Sequence, residues 1–146
     1  MGDGLPAAER ISRLLRSLLF DSESGIIMKK LTFNWIKRAD GTSEFVEYMD
    51  SLPEKDRAKL YAVIDRVEEH GLEIARKMKW IKKLDGGISE LRSIQGSDIQ
   101  RALYFHEIGS RYLITHGFTK KTDRVPPREI VHAKRLRDEY LRGNVK

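Results

Sequence analysis

The chain of 146 residues contains no cysteine. That absence removes disulfides, thiolate nucleophiles and cysteine-ligated metals from consideration. Long apolar runs are missing too. No stretch approaches the ~18 residues needed to cross a bilayer, so no membrane partner is expected. Glu9, Arg10, Arg13 and Arg16 interrupt any apolar core near the N-terminus, which argues against a signal peptide and for a cytoplasmic protein. No Gly-rich phosphate loop occurs. No two histidines stand at ligand spacing, so neither a metal nor a cofactor is expected. Proline is scarce, and Pro6, Pro53, Pro126 and Pro127 fall at boundaries rather than inside periodic segments.

Charge, by contrast, is plentiful. Asp, Glu, Lys and Arg make up 34% of the chain, and the net charge is +6. Such a balance favours an anionic partner, or serves solubility alone. Residues 1–27 hold three arginines against four acids, so the positive excess lies beyond them. From Phe118 onward nine basic residues stand against four acidic ones. The length suits one domain with a real core.

The organising stretch is Leu84 to Lys134. Ile88 to Ile94 alternates apolar and polar residues, Gln95-Gly96-Ser97-Asp98 has turn composition, and Ile99 to His106 is a second strand candidate. Glu107 to Ser110 then turns into a third run, Arg111 to Phe118. Short glycine-containing connections between three such runs predict an antiparallel meander. It carries Arg92, Arg101 and His116, with Lys120-Lys121 following, a set suited to a polyanion if it shares one face or rim.

Taken in order, residues 5–20 have helical spacing, with Leu5, Ala8, Ile11, Leu15 and Leu19 near one face. This is either a membrane-surface or partner-binding helix, or a loosely packed appendage. Asp21 to Gly25 reads as a linker, and Met28-Lys29-Lys30 as a second plausible start. The chain therefore divides into an N-terminal extension, 1–27, and a domain, 28–146. Lys29 to Lys37 is a strand candidate with Leu31, Phe33 and Trp35 on one side. Thr42 or Ser43 can cap a helix over Glu44 to Ser51. Glu54 to His70 is the clearest helix, with Leu60, Val63, Ile64 and Val67 at i, i+3, i+4, i+7 and Gly71 as its stop. Leu72 to Ile81 carries a further apolar pattern, ringed by Lys77, Lys79, Lys82 and Lys83. Those lysines form a solvated face or contact phosphate. A final helix runs from Arg128 to Arg142. The expected fold is α+β: a small antiparallel or mixed sheet, two N-terminal helices packed on one face, and a C-terminal helix. Such a layout leaves the other face open.

Four pieces in order carry a family resemblance: Gly87-Ile88-Ser89-Glu90-Leu91-Arg92, Arg101-Ala102-Leu103-Tyr104-Phe105, His116 to Thr122, and Pro126 to Ala133. Together they resemble the HigB-type, phage-derived toxins of the RelE/ParE superfamily, over Met28 to Tyr140. The resemblance implies a RelE/ParE-like fold and a ribosome-dependent endoribonuclease that cuts mRNA without metal. It also implies a cognate antitoxin protein, a toxin–antitoxin hetero-oligomer, and contact with ribosome and mRNA. The alternative on the same scaffold is a non-catalytic or ParE-like, gyrase-inhibiting toxin.

RNA cleavage of this kind needs a base for the 2′-hydroxyl, an acid for the leaving 5′-oxygen, and cations on the phosphate. Arg101, matching the family's strand arginine, is the candidate phosphate clamp, or else a rim ion pair with Glu90 or Asp98. His116 and Lys120 are the acid/base candidates, although a lone strand-end histidine is often structural. Arg92, Lys121, Lys82 and Lys83 are candidate RNA phosphate contacts. Arg92 can equally hold Glu90 or the last helix, and Glu90 reads as structural. Tyr104 either faces the polar side and stacks on a base or is a half-buried strand tyrosine. His106 is a weaker candidate, His70 and His132 read as surface residues, Glu129 as a helix cap, and Tyr140 as packing.

Overall fold

The computed structural model describes residues 18–21 and 25–143. The helix expected over 5–20 lies outside the described residues up to position 17. Leu18–Asp21 is strand β1, paired antiparallel with β2, Gly25–Met28, so residues 18–20 are strand rather than the expected helix, and Asp21 and Gly25 belong to a two-stranded ribbon rather than to a linker. The Leu-Leu-Phe and Ile-Ile runs favour extended backbone, which local periodicity further upstream masked.

The main sheet has five strands in the order β3-β7-β6-β5-β4. These are β3, Thr32–Trp35; β4, Ile81–Lys83; β5, Ser89–Gln95; β6, Asp98–Ile108; and β7, Arg111–Lys120. β3 runs parallel to β7, and every other pairing is antiparallel. The expected meander is its centre. β4 was not anticipated, because three residues cannot display an alternation. The helices are α1, Glu44–Ser51; α2, Glu54–His70; α3, Leu72–Lys77; and α4, Pro127–Gly143. Ser43 caps α1 by accepting from the Val46 amide (3.4 Å). Gly71 ends α2 with a positive φ of 90°, which costs a residue without Cβ little.

The helix arrangement differs from the expected one. Three helices, not two, cover one face, and α4 covers part of the other. The larger core joins Phe45, Met49, Leu60, Ile64, Val67 and Ala75 of α1–α3 to Phe33, Leu91, Ala102, Tyr104 and Ile114 of the sheet. The smaller core joins Ile88, Leu103, Phe105 and Leu113 to Ala133 of α4. Central β6 is therefore buried on both sides, from Ile99 to Phe105 without a break. Ala133 is the one fully buried residue of α4. Polar contacts do much of the rest of its docking: Lys134 to Asp85 (2.8 Å), Arg137 to the Gly86 carbonyl (2.6 Å), and Tyr140 to Glu107.

Two local devices set β3 and β7. Glu68 of α2, buried at 3% exposure, accepts from the Phe33 amide (2.8 Å) and pairs with Lys29 (3.3 Å), fixing the edge strand to the helix. In β7, Leu103 pairs with His116 while Tyr104 pairs with Ile114, so Thr115 is an extra residue in the ladder. A one-residue bulge reverses the facing of everything after it. His116, Phe118 and Lys120 consequently share the α4 face with Leu103, Arg101 and Ile99, and Gly117 turns toward α1.

Candidate functional site

The α4 face of the sheet carries two adjacent cross-strand rows. One is Arg92, Arg101 and Phe118; the next is Glu90, Leu103 and His116. Two arginines directly opposite each other repel, so the arrangement requires interleaved acid. Glu90 supplies it from below: its Oε1 lies 3.3 Å from Arg101 Nε, and both side chains are fully buried. Asp123 supplies it from above: its Oδ1 accepts from Arg92 Nη2 at 2.8 Å. Burial raises the Glu90 carboxyl above its ordinary pKa, against the pull of Arg101 and Arg92. The Arg92 charge holds exposed Asp123 below the ordinary carboxylate range.

Arg101 also donates from Nη2 to the carbonyls of Thr122 and Asp123 (2.7 Å to the latter), and its guanidinium stands 6.0 Å from the Phe118 ring centre. The segment after β7 is thus clasped over it. Two buried polar atoms here have no partner among the described residues, Arg101 Nη1 and Glu90 Oε2. An unused donor on a buried guanidinium is costly unless something engages it.

His116 is 5% exposed. Its Nε2 faces Glu129 Oε1 at 3.0 Å and its Nδ1 faces Thr115 Oγ1 at 3.0 Å. Burial lowers its pKa below the ordinary histidine value, although Glu129 pulls the other way. Thr115 Oγ1 also lies 3.3 Å from the Leu103 carbonyl, and its one proton serves either that carbonyl or Nδ1. A neutral ring takes Nε2–H donating to Glu129 and the hydroxyl turned to Nδ1. The ring meets His132 edge-on, with centres 4.7 Å apart. His132 Nδ1 is 2.6 Å from Arg135 Nη2; arginine can only donate, so Nδ1 accepts and Nε2–H donates to Glu44 Oε1 at 2.8 Å. Glu129 lies in the first turn of α4, as expected, and its side chain also orients His116. His132, expected on the surface, is half-buried at the junction of α1 and α4.

The structure therefore gathers Arg92, Arg101, His116 and Lys120 on one face, with Lys82 beside them. Lys82 pairs in register with Glu90 and lowers the pKa of both Glu90 and Asp123. Lys120 is half-buried and Lys121 exposed, and neither forms an ion pair among the described residues. Two candidates lie elsewhere. Tyr104 does not face the polar side: it is 3% exposed within the larger core, edge-on to Phe33 at 5.0 Å. Lys83 lines a groove of about 370 Å³ that also includes Arg76, Tyr104, His106 and Tyr112. Sequence reasoning missed Asp123, Phe118, Thr115 and Glu44. The bulge brings in Thr115 and Phe118, the folding back of the 122–123 segment brings in Asp123, and the meeting of α1 with α4 brings in Glu44; none of these has a local signature.

Residues 47–138 match the family model described as phage derived protein Gp49-like (DUF891). The chain belongs to the Gp49-like family. No curated protein matches it. The Gp49-like match runs from within α1 to within α4, and so contains every residue of both cross-strand rows.

Proposed function

We propose that this Gp49-like chain is the toxin of a type II toxin–antitoxin pair, an endoribonuclease that cuts mRNA on the ribosome and is restrained by a protein antitoxin. The observation that carries the reading is Arg101: a buried guanidinium with an unengaged Nη1, covered by two backbone carbonyls. Carbonyl oxygens and phosphate oxygens satisfy the same donors, and a planar fork binds phosphate well. A phosphate that displaces the Thr122–Asp123 segment takes up those donors, with Arg92 beside it. Lys82 and Lys121 attract the strand.

Cleavage follows in-line attack. The 2′-oxygen loses its proton to a base and bonds to phosphorus, and the bond to the 5′-oxygen breaks as that oxygen receives a proton. The lowered pKa of His116 keeps its ring in the form a base requires. Lys120 brings an ammonium group, the form an acid requires. With Nε2–H donated to Glu129, His116 accepts a proton at Nδ1, and only when the Thr115 hydroxyl turns away from it. Tyr104 and Lys83, on the other face, are not assigned to this step.

Expression of the intact chain in a bacterium without antitoxin tests the reading. Growth arrest with loss of full-length mRNA is expected, relieved by Arg101→Ala and by Lys120→Gln, both checked for folding. Normal growth and intact messages with the unaltered chain would overturn it. A non-catalytic reading is favoured by one fact, that Arg101 and His116 are engaged internally and nearly fully buried. Inhibition of gyrase supercoiling without RNA cleavage would select it.

A further inference from the structure

A second cationic groove lies on the other side of Arg92. It holds about 360 Å³ between α2 and the end of β5, and its walls include Lys59, Arg66, Lys79, Trp80, Arg92 and Ile94. The size falls within the range of small-ligand sites, about 300–1,000 Å³. Four cations and no carboxylate line it. Trp80 is half-buried there, with the Arg66 guanidinium 5.9 Å from its ring centre. Ile94 is 54% exposed, an apolar surface that the core leaves uncovered. Ser93 also lines the groove; it is 6% exposed and its Oγ has no partner among the described residues. Gln100, opposite Ser93 in register and 1% exposed, leaves both amide atoms without partners among the described residues.

We infer that this groove is a subsite for one nucleotide of a single-stranded RNA, adjoining the site around Arg101. The inference rests on the RNA reading above. The cations take the backbone phosphates. The indole and Ile94 offer a flat apolar wall to a base, and base–aromatic stacking tolerates any sequence. The unpaired hydroxyl of Ser93 supplies a polar contact below. Arg92 joins the two places, since it lines the groove and also holds Asp123 over Arg101. A strand running from one to the other therefore stays on positive charge. An acidic peptide would use the cations but would leave the indole wall unexploited.

The test uses the purified full-length chain and a fluorescein-labelled, unstructured decaribonucleotide, read by anisotropy. Ile94→Glu places a carboxylate at an exposed position and should weaken binding tenfold or more. Lys59→Gln combined with Lys79→Gly should weaken it and reduce the salt slope by about 1.4, at about 0.7 per phosphate on a single strand. Glycine is chosen because Lys79 has a positive φ of 63°, a conformation glycine adopts freely. Unchanged affinity and slope in both variants, with unchanged circular dichroism, would overturn the inference. So would displacement of the oligonucleotide by polyglutamate as effectively as by unlabelled RNA, which would assign the groove to an acidic peptide. Binding is read without ribosomes or turnover, so loss of the cleavage reading leaves this measurement standing. Conversely, groove variants that bind normally sink the subsite while cleavage stands.

Discussion

Gly117→Ala adds one methyl group at the point where α1 meets β7. A Cβ there falls 2.2 Å from Tyr48 Cδ2, 2.6 Å from Cε2 and 2.9 Å from Cγ. Carbon atoms rest at about 3.5–4.0 Å, so the ring must retreat by about 1.5 Å. It is not free to do so. Its hydroxyl donates to the Phe118 carbonyl (3.1 Å) and bonds Thr119 Oγ1 (2.8 Å). Burial of the ring also pushes the Tyr48 hydroxyl up to a pKa of about 12, so it stays a neutral donor at any pH of interest. Losing two hydrogen bonds costs about 1 kcal/mol each, and overpacking adds about 1–3 kcal/mol. The expected loss is about 3–5 kcal/mol, a large part of the ~5–15 kcal/mol of an ordinary domain. Urea unfolding followed by tryptophan fluorescence measures it. Tyr48→Ala destabilises by cavity formation, but Gly117→Ala on that background should cost almost nothing. Two costs that simply add in the double variant would refute the steric argument.

Burial holds the His116 pKa below its unfolded value, so the unfolded chain binds the extra proton first. Stability from this group is therefore full above about pH 6.5 and declines as pH falls toward the folded pKa. Unfolding midpoints taken between about pH 5 and 8 should show that decline, and His116→Gln should flatten it. Glu68→Ala strips the Phe33 amide of its acceptor. It should cost about 1–3 kcal/mol and speed hydrogen exchange at Phe33 more than at Leu103.

Much of the architecture is legible in the sequence because periodicity reports burial. Phe45, Val46 and Met49 locate α1, and Leu60, Val63, Ile64 and Val67 locate α2, with the bounds the structure has. Three alternating runs give the meander. What periodicity cannot report is an interruption of itself. Thr115 shifts the ladder by one, so parity counted from Ile114 places His116 on the wrong face. Of the two readings of Tyr104, the polar-facing one fails for a related reason: in a strand covered on both sides, an aromatic between Leu103 and Phe105 is as buried as its neighbours. The Arg101–Glu90 ion pair was one of two readings the sequence offered, and it is the contact formed. Enclosure of that pair by the 122–123 carbonyls depends on a chain reversal that composition does not encode.

The attachment of α4 has its own thermodynamic character. Beyond Ala133 and the Tyr140 ring against Phe105, α4 docks through ion pairs and hydrogen bonds, and dissolved ions screen the ion pairs, whereas the sheet and its other three helices are held by apolar burial. Rising ionic strength should therefore loosen the chain's last seventeen-residue element ahead of the rest. The imidazole of residue 116 would meet water at salt concentrations that leave the main core untouched.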